Sequence, residues 1–195
     1  MRRVVITGIW IVCPIGNNVA EVEASLRLSP GSVRFLPDSG PEVMAEHRDG
    51  RAEIHYSGDK LQVNGGLRIG DAGHIEGHGS VGPAAAGRPL LGELLLALPD
   101  PAPLAVLMPR VTDLSGPLKL HGQWRGSLDQ PRLTLDGSWQ TGRARLPELG
   151  IELVDIDLQL SGNEDRLRLL GQASSGPGKV RLEGDLQLDK AAGWP

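Results

Sequence analysis

Cys13 is the single thiol of the chain. A cysteine nucleophile needs a neighbouring base to generate its thiolate. No histidine lies within 30 residues of it, so the position reads as an inert thiol. His74, Glu76 and His78 alternate along what would be one strand face and could present two imidazoles and a carboxylate to a metal ion. Gly73, Gly77 and Gly79 surround them, and no side chain nearby is placed to orient the rings. A solvated polar face is the simpler reading. Asp155 and Asp157 flank Ile156 and point away from its face, whereas general acid–base pairs require a pocket that separates their pKa values. No serine, histidine and aspartate combine in a supporting motif. The sequence therefore assigns no catalytic residue, no metal ligand and no cofactor, and the chain is not expected to be an enzyme.

What the chain does carry is strand material. Of 195 residues, 27 are glycine and 15 proline, whereas aromatic residues make up 3%. That composition is poor stock for a compact mixed core and suits short strands joined by tight turns. Lys and Arg number 20 against 24 Asp and Glu, a net charge of −4. Phosphate neutralisation needs clustered cations, so no nucleic-acid partner is expected. One cysteine excludes an internal disulfide, and no Cys/His spacing suggests structural zinc. No run approaches the ~18–20 apolar residues that span a bilayer as a helix.

From about residue 51 a simple unit recurs: apolar, polar, apolar, any residue, glycine. It reads Ile54-His55-Tyr56-Ser57-Gly58, Leu61-Gln62-Val63-Asn64-Gly65 and Leu118-Lys119-Leu120-His121-Gly122. It returns as Leu133-Thr134-Leu135-Asp136-Gly137, Leu158-Gln159-Leu160-Ser161-Gly162, Leu167-Arg168-Leu169-Leu170-Gly171 and Val180-Arg181-Leu182-Glu183-Gly184. Side chains alternate faces along a strand, so each unit puts its leucines on one side and its polar residues on the other. The copies are irregularly spaced, which excludes a strict solenoid. Little is available to cover the apolar side. A short helix is expected near 101–108, with Asp100 as cap and Pro109 as stop. Residues 90–98 read as a strand with bulky residues on both faces.

The fold class expected is all-β: a curved, mostly antiparallel sheet, bending at its glycines and folded into an open apolar groove. A dozen strands at about 4.8 Å would make a trough about 55 Å long. Its lining would be Leu118, Leu120, Leu133, Leu135, Ile156, Leu158, Leu160, Leu167, Leu169, Val180, Leu182, Leu186 and Leu188. Trp124 and Trp139 would close groove edges or pack on strand neighbours. The alternative is a closed structural β-repeat that holds no cargo.

The first 28 residues differ. Arg2 and Arg3 precede an apolar run that Gly8 and Pro14 interrupt, a poor fit to a secretory signal. Val4-Val5-Ile6-Thr7 reads as a buried strand, and Asn18 followed by Glu21 has the spacing of a capping box, so a helix is expected near 19–28. Met1-Arg2-Arg3-Val4-Val5-Ile6-Thr7-Gly8, Pro14-Ile15-Gly16-Asn17-Asn18 and Ser25-Leu26 resemble the opening of β-ketoacyl-acyl-carrier-protein synthases. The resemblance implies a thiolase-type fold and acyl transfer by a Cys-His-His site. Trp10 departs from it, nothing after residue 28 continues it, and Cys13 is not at a family catalytic position. Residues 1–28 are thus read as a ketosynthase-like start, a fused remnant, and 29–50, with its Ser-Pro-Gly and Pro-Asp-Ser-Gly-Pro turns, as a linker.

Residues 51–195 resemble the TamB family, the large subunits of the translocation and assembly module, related to AsmA-like bridge proteins. The carriers are Gly126-Ser127-Leu128-Asp129-Gln130-Pro131-Arg132-Leu133, then Leu146-Pro147-Glu148-Leu149-Gly150-Ile151, then Ser174-Ser175-Gly176-Pro177-Gly178. The resemblance implies a β-taco groove that bridges the periplasm from an inner-membrane anchor to an outer-membrane partner of the barrel-assembly type. It implies as cargo phospholipid acyl chains or unfolded outer-membrane protein strands, in lipid transport, outer-membrane protein assembly or secretion. The expected location is periplasmic, in a longer protein whose anchor this chain lacks.

Overall fold

Alternation of apolar and polar residues is realised as strand almost throughout. The computed structural model describes residues 3–6, 9–12, 21–36, 43–107 and 110–187. β1 (Arg3–Ile6) and β2 (Ile9–Val12) lead to β3 (Glu21–Leu28) and β4 (Gly31–Leu36). β5 (Val43–Ser57), β6 (Lys60–Ile69), β7 (Gly73–Val81) and β8 (Pro89–Leu98) follow. A 3-10 turn at Ala102–Leu107 precedes β9 (Thr112–Ser115), β10 (Leu118–Ser127) and β11 (Pro131–Leu146). β12 (Ile151–Asn163), β13 (Arg166–Ser175) and β14 (Gly178–Gln187) complete the order.

All 14 strands join one antiparallel sheet, ordered β1-β4-β5-β6-β7-β8-β10-β11-β12-β13-β14. β5 is long enough to pair with β4 through its first residues and with β3 through its last, and β2 lies on β3. β9 likewise shares β11 with β10. β1 and β14 are the two ends of this path, so the sheet is open and not a barrel. Its 11 strand positions at about 4.8 Å spacing span about 48 Å.

Three expectations are corrected. The stretch near 19–28 is strand over Glu21–Leu28. Its Val22, Ala24, Leu26 and Leu28 alternate with Glu23, Ser25 and Arg27, a strict period of two that outweighs a capping-box spacing. Residues 29–50 contain β4 and the start of β5 where a linker was expected. The ladder does not shift register at each glycine. The pairings β6–β7, β7–β8, β8–β10, β10–β11 and β13–β14 keep their register straight past Gly65, Gly77, Gly92, Gly122 and Gly171. The register shifts fall at true bulges, including Trp139–Gly142 on β11 and Val154–Asp157 on β12. There Thr141 and Asp155 carry left-handed φ of 46° and 50°, and such bulges raise local twist and bend a strand. The expected short helix near 101–108 is a 3-10 turn, its start held by Asp100 Oδ1 accepting from Ala102 N at 3.0 Å. Cys13 and Leu188 lie outside the described residues.

The core is thin and sits at one end. Leu114, Ala144, Ile156 and Ala173 form its buried cluster, with Ala105, Val111, Trp139, Leu153, Leu158 and Val180 against it. Leu98 and Pro101 are also buried, and the 3-10 turn that follows them rests on β5 and β9. Accessible surface totals 13414 Å², whereas a compact chain of this mass exposes about 9,000 Å².

Candidate apolar groove

Residues directly opposed in an antiparallel ladder share a face, so the register assigns each side chain to a side of the sheet. One row runs Leu67, Ile75, Leu96, Leu120, Gly137, Leu160, Leu169, Gly184. The next runs Gly77, Leu94, Gly122, Leu135, Gly162, Leu167, Leu186. On the other flank lie Leu98, Leu118, Trp139, Leu158, Gly171 and Leu182. A fourth row holds Gly79, Gly92, Trp124 and Leu133. Ile156 is two residues before Leu158 on the same strand, and Val180 two before Leu182, opposite Ala173. All twelve described residues expected to line a groove therefore lie on one face.

The rows are more than a stripe of leucines. Large side chains lie down over the glycines of neighbouring strands. A Cβ on Gly137 would sit 3.0 Å from Leu120 Cδ1, and one on Gly77 3.2 Å from Leu94 Cδ1. The Trp124 indole covers Gly92 in the same way, with Cε3 3.4 Å from the vacant Cβ position, and Trp139 covers Gly142. Glycine here supplies room for a neighbour's side chain. The result is a low, aliphatic surface, covered at one flank where Leu114, Val111 and Ala105 pack on Ile156, Leu158 and Trp139. Its leucines stay half-exposed towards the β14 end, where Leu182 is 38% and Leu186 58% accessible. Around β7 and β8 a hollow of about 380 Å³ is lined by Val63, Gly79, Leu90, Gly92, Leu94 and Trp124 together with His78, Leu91 and Glu93.

The opposite face is polar. Gln123, Glu93, His78 and Asn64 form one of its rows. His121 Nε2 donates to Glu93 Oε1 at 2.6 Å, and His78 Nε2 lies 3.9 Å from Glu93 Oε2. Hydrogen bonding from His121, foremost, holds the Glu93 carboxyl below the usual glutamate range; Gln123 and the charges of the two histidines act in the same direction against desolvation. His74, Glu76 and His78 all stand exposed on this side. Among the described residues no three His, Cys, Asp or Glu side chains gather to hold a metal ion. Asp155 and Asp157 line a cleft of about 580 Å³ with Gln172, Lys179 and Arg181. Asp157 Oδ1 is buried there without a hydrogen-bond partner. Leu91, Leu95 and Leu170 are apolar intruders on this face, 57%, 42% and 36% accessible.

The groove as read from sequence stopped short. Leu67, Ile75, Leu94, Leu96 and Leu98 extend its rows through β6, β7 and β8. The unit Leu61-Gln62-Val63 already marked β6 as two-faced, and that signal would have found Leu67 and Ile69 by continued alternation. No protein-family model, curated protein or solved structure matches the chain.

Proposed function

We propose that the uncovered aliphatic face binds phospholipid acyl chains, and that the chain is a segment of a TamB-like periplasmic bridge that carries lipid between membranes, with no enzymatic step of its own. One observation carries the reading: rows of leucine, isoleucine, glycine and tryptophan run side by side across one face of the sheet, and although the flank at Ile156, Leu158 and Trp139 packs against Leu114, Val111 and Ala105, the rows through Leu120, Leu160 and Leu169 and through Leu94, Leu135 and Leu167 stay partly exposed. Transfer of hydrocarbon to water costs about 0.8 kcal/mol per CH₂, so an acyl chain of about sixteen carbons faces about 12 kcal/mol. A low aliphatic surface removes much of that penalty while the headgroup remains in solvent. The near-uniform lining gives little variation in affinity from one position to the next, which favours sliding over trapping. No helix among the described residues is long and apolar enough to cross a membrane.

The test uses vesicles containing phospholipid with a photo-reactive acyl chain, with adducts located by mass spectrometry. Leu120, Leu135, Leu160 and Leu182 are the expected positions. Leu160→Arg lowers capture, whereas Gln159→Arg, one residue away on the polar face, leaves it unchanged. Absence of adducts at all four leucines, or equal effects of the two arginines, overturns the proposal. Circular dichroism on both variants separates lost capture from lost fold.

A further inference from the structure

Where charged residues oppose each other across this sheet, the signs are mostly matched, as in Arg145 with Glu152 and Arg168 with Asp185. Arg27 and Arg51 are a like pair, but Glu53 of the same strand pairs with Arg51. Arg125 on β10 and Arg132 on β11 oppose each other without such relief. Among the described residues neither makes an ion pair or a side-chain hydrogen bond, and Asp129, on the turn that joins the two strands, pairs with neither. The other carboxylates nearby are engaged: Glu93 holds His121 at 2.6 Å, and Glu164 accepts from Leu133 N at 3.1 Å. Like charges directly opposed destabilise a ladder, so an anion that bridges them stabilises it. Both arginines are exposed. The Arg132 stem leans over the end of β10, with Cγ 3.8 Å from the vacant Cβ position of Gly126. Leu128 N donates to the Arg88 carbonyl oxygen at 2.9 Å, which fastens a third arginine to the same turn.

We propose that Arg125 and Arg132 together hold the phosphodiester of an anionic phospholipid headgroup at this rim of the sheet, a site that rests on the acyl-chain reading above. Two planar guanidinium forks present paired N–H donors that match phosphate oxygens. The register puts apolar surface beside them. Trp124 opposes Leu133 one residue further in, on the apolar face. Gly126 opposes Pro131 one residue further out and closes the β10–β11 ladder, with the turn at 127–130 beyond it. Gly126 brings no side chain to the apolar face there. A headgroup can therefore pass round the strand ends to both arginines while its acyl chains lie along Trp124, Leu133 and Leu90, which opposes Gly126 from β8. Trp124 and Leu90 also line the hollow of about 380 Å³. The two cations give this rim a preference for negative lipid that the uniform leucine rows lack.

The test is flotation of the full chain with phosphatidylcholine vesicles, with and without phosphatidylglycerol. The wild type binds more tightly when phosphatidylglycerol is present. Arg125→Gln combined with Arg132→Gln weakens that binding by about tenfold or more. Arg143→Gln combined with Arg181→Gln removes the same charge from two exposed arginines elsewhere on the sheet and leaves binding unchanged. Equal losses from the two double variants, or wild-type binding indifferent to phosphatidylglycerol, would overturn the proposal. So would release by inorganic phosphate, at constant ionic strength, as complete as withdrawal of phosphatidylglycerol, because the pair would then serve the free anion. Since the opposed arginines repel, the lipid-free Arg125 and Arg132 double variant melts no lower than the wild type; a lower melting temperature would refute the repulsion and the site with it. Photo-adducts at Leu120, Leu135, Leu160 and Leu182 on phosphatidylcholine vesicles alone test the acyl-chain reading separately. Adducts there beside indifferent arginines overturn the headgroup site only, and their absence overturns both.

Discussion

Two glycines on the same apolar face should respond in opposite directions to one added methyl group. A Cβ on Gly171 would lie 2.1 Å from Leu158 Cδ2 and 2.8 Å from the Asp157 carbonyl oxygen. The Leu158 methyl can rotate away, but the carbonyl cannot yield without moving β12, and Leu158 packs on the Ile156–Ala173 cluster. Overpacking of this kind costs about 1–3 kcal/mol. The reduced freedom of the unfolded chain offsets about 0.5–1 kcal/mol of that. Gly171→Ala is therefore expected to destabilise by about 1–2 kcal/mol net. Gly184 has open space about it and no left-handed φ, so Gly184→Ala keeps only the entropic gain and stabilises by about 0.5–1 kcal/mol. The variants should differ by about 2 kcal/mol, a factor of about thirty in the folded-to-unfolded ratio. Urea unfolding followed by tryptophan fluorescence measures both midpoints. Shifts in the same direction, or a neutral Gly171→Ala, would refute the claim that leucines lie on these glycines.

Three further outcomes follow from other parts of the sheet. Ile156 is 3% accessible at the centre of the buried cluster, so Ile156→Ala should cost about 2–5 kcal/mol in the same unfolding assay. Leu186→Ala, at the exposed edge, should change stability by less than about 0.5 kcal/mol. The Glu93 carboxyl has its pKa lowered by His121 and its neighbours in the folded chain. Its contribution is complete above the ordinary glutamate range and is lost as pH falls through the depressed folded value. Glu93→Gln should flatten that acid-side loss in melting temperature measured against pH; an unchanged profile would show that the contact with His121 contributes nothing.

The sheet and its faces were legible wherever strand alternation was clean. Leu118-Lys119-Leu120 and Val180-Arg181-Leu182 declare their two sides without further help, since period two admits no helix. The segment 21–28 shows the same alternation, but Asn18 and Glu21 offered a competing local signal, and the pairing with β5 decides in favour of strand. What spacing could not reveal was register. His78, Glu93 and His121 sit on three strands and meet only because β8 pairs with both β7 and β10. The bulges at Thr141 and Asp155 were equally hidden, because neither residue is the glycine that ordinarily marks left-handed backbone. The recurring glycines were visible from the start, yet their part in receiving a neighbour's leucine emerges only when strands lie side by side.

From β5 onward nearly every strand lies beside the one that precedes it in the chain, with β9 as the short exception. Such a meander is built from local hairpins, so its ladder can zip up progressively without first closing a long loop. It is also tolerant of length. Adding or removing a hairpin pair moves no other neighbour, and each row of side chains merely gains or loses two steps. The architecture is thus a ruler whose span can be set by the number of hairpins, independently of what any one of them touches.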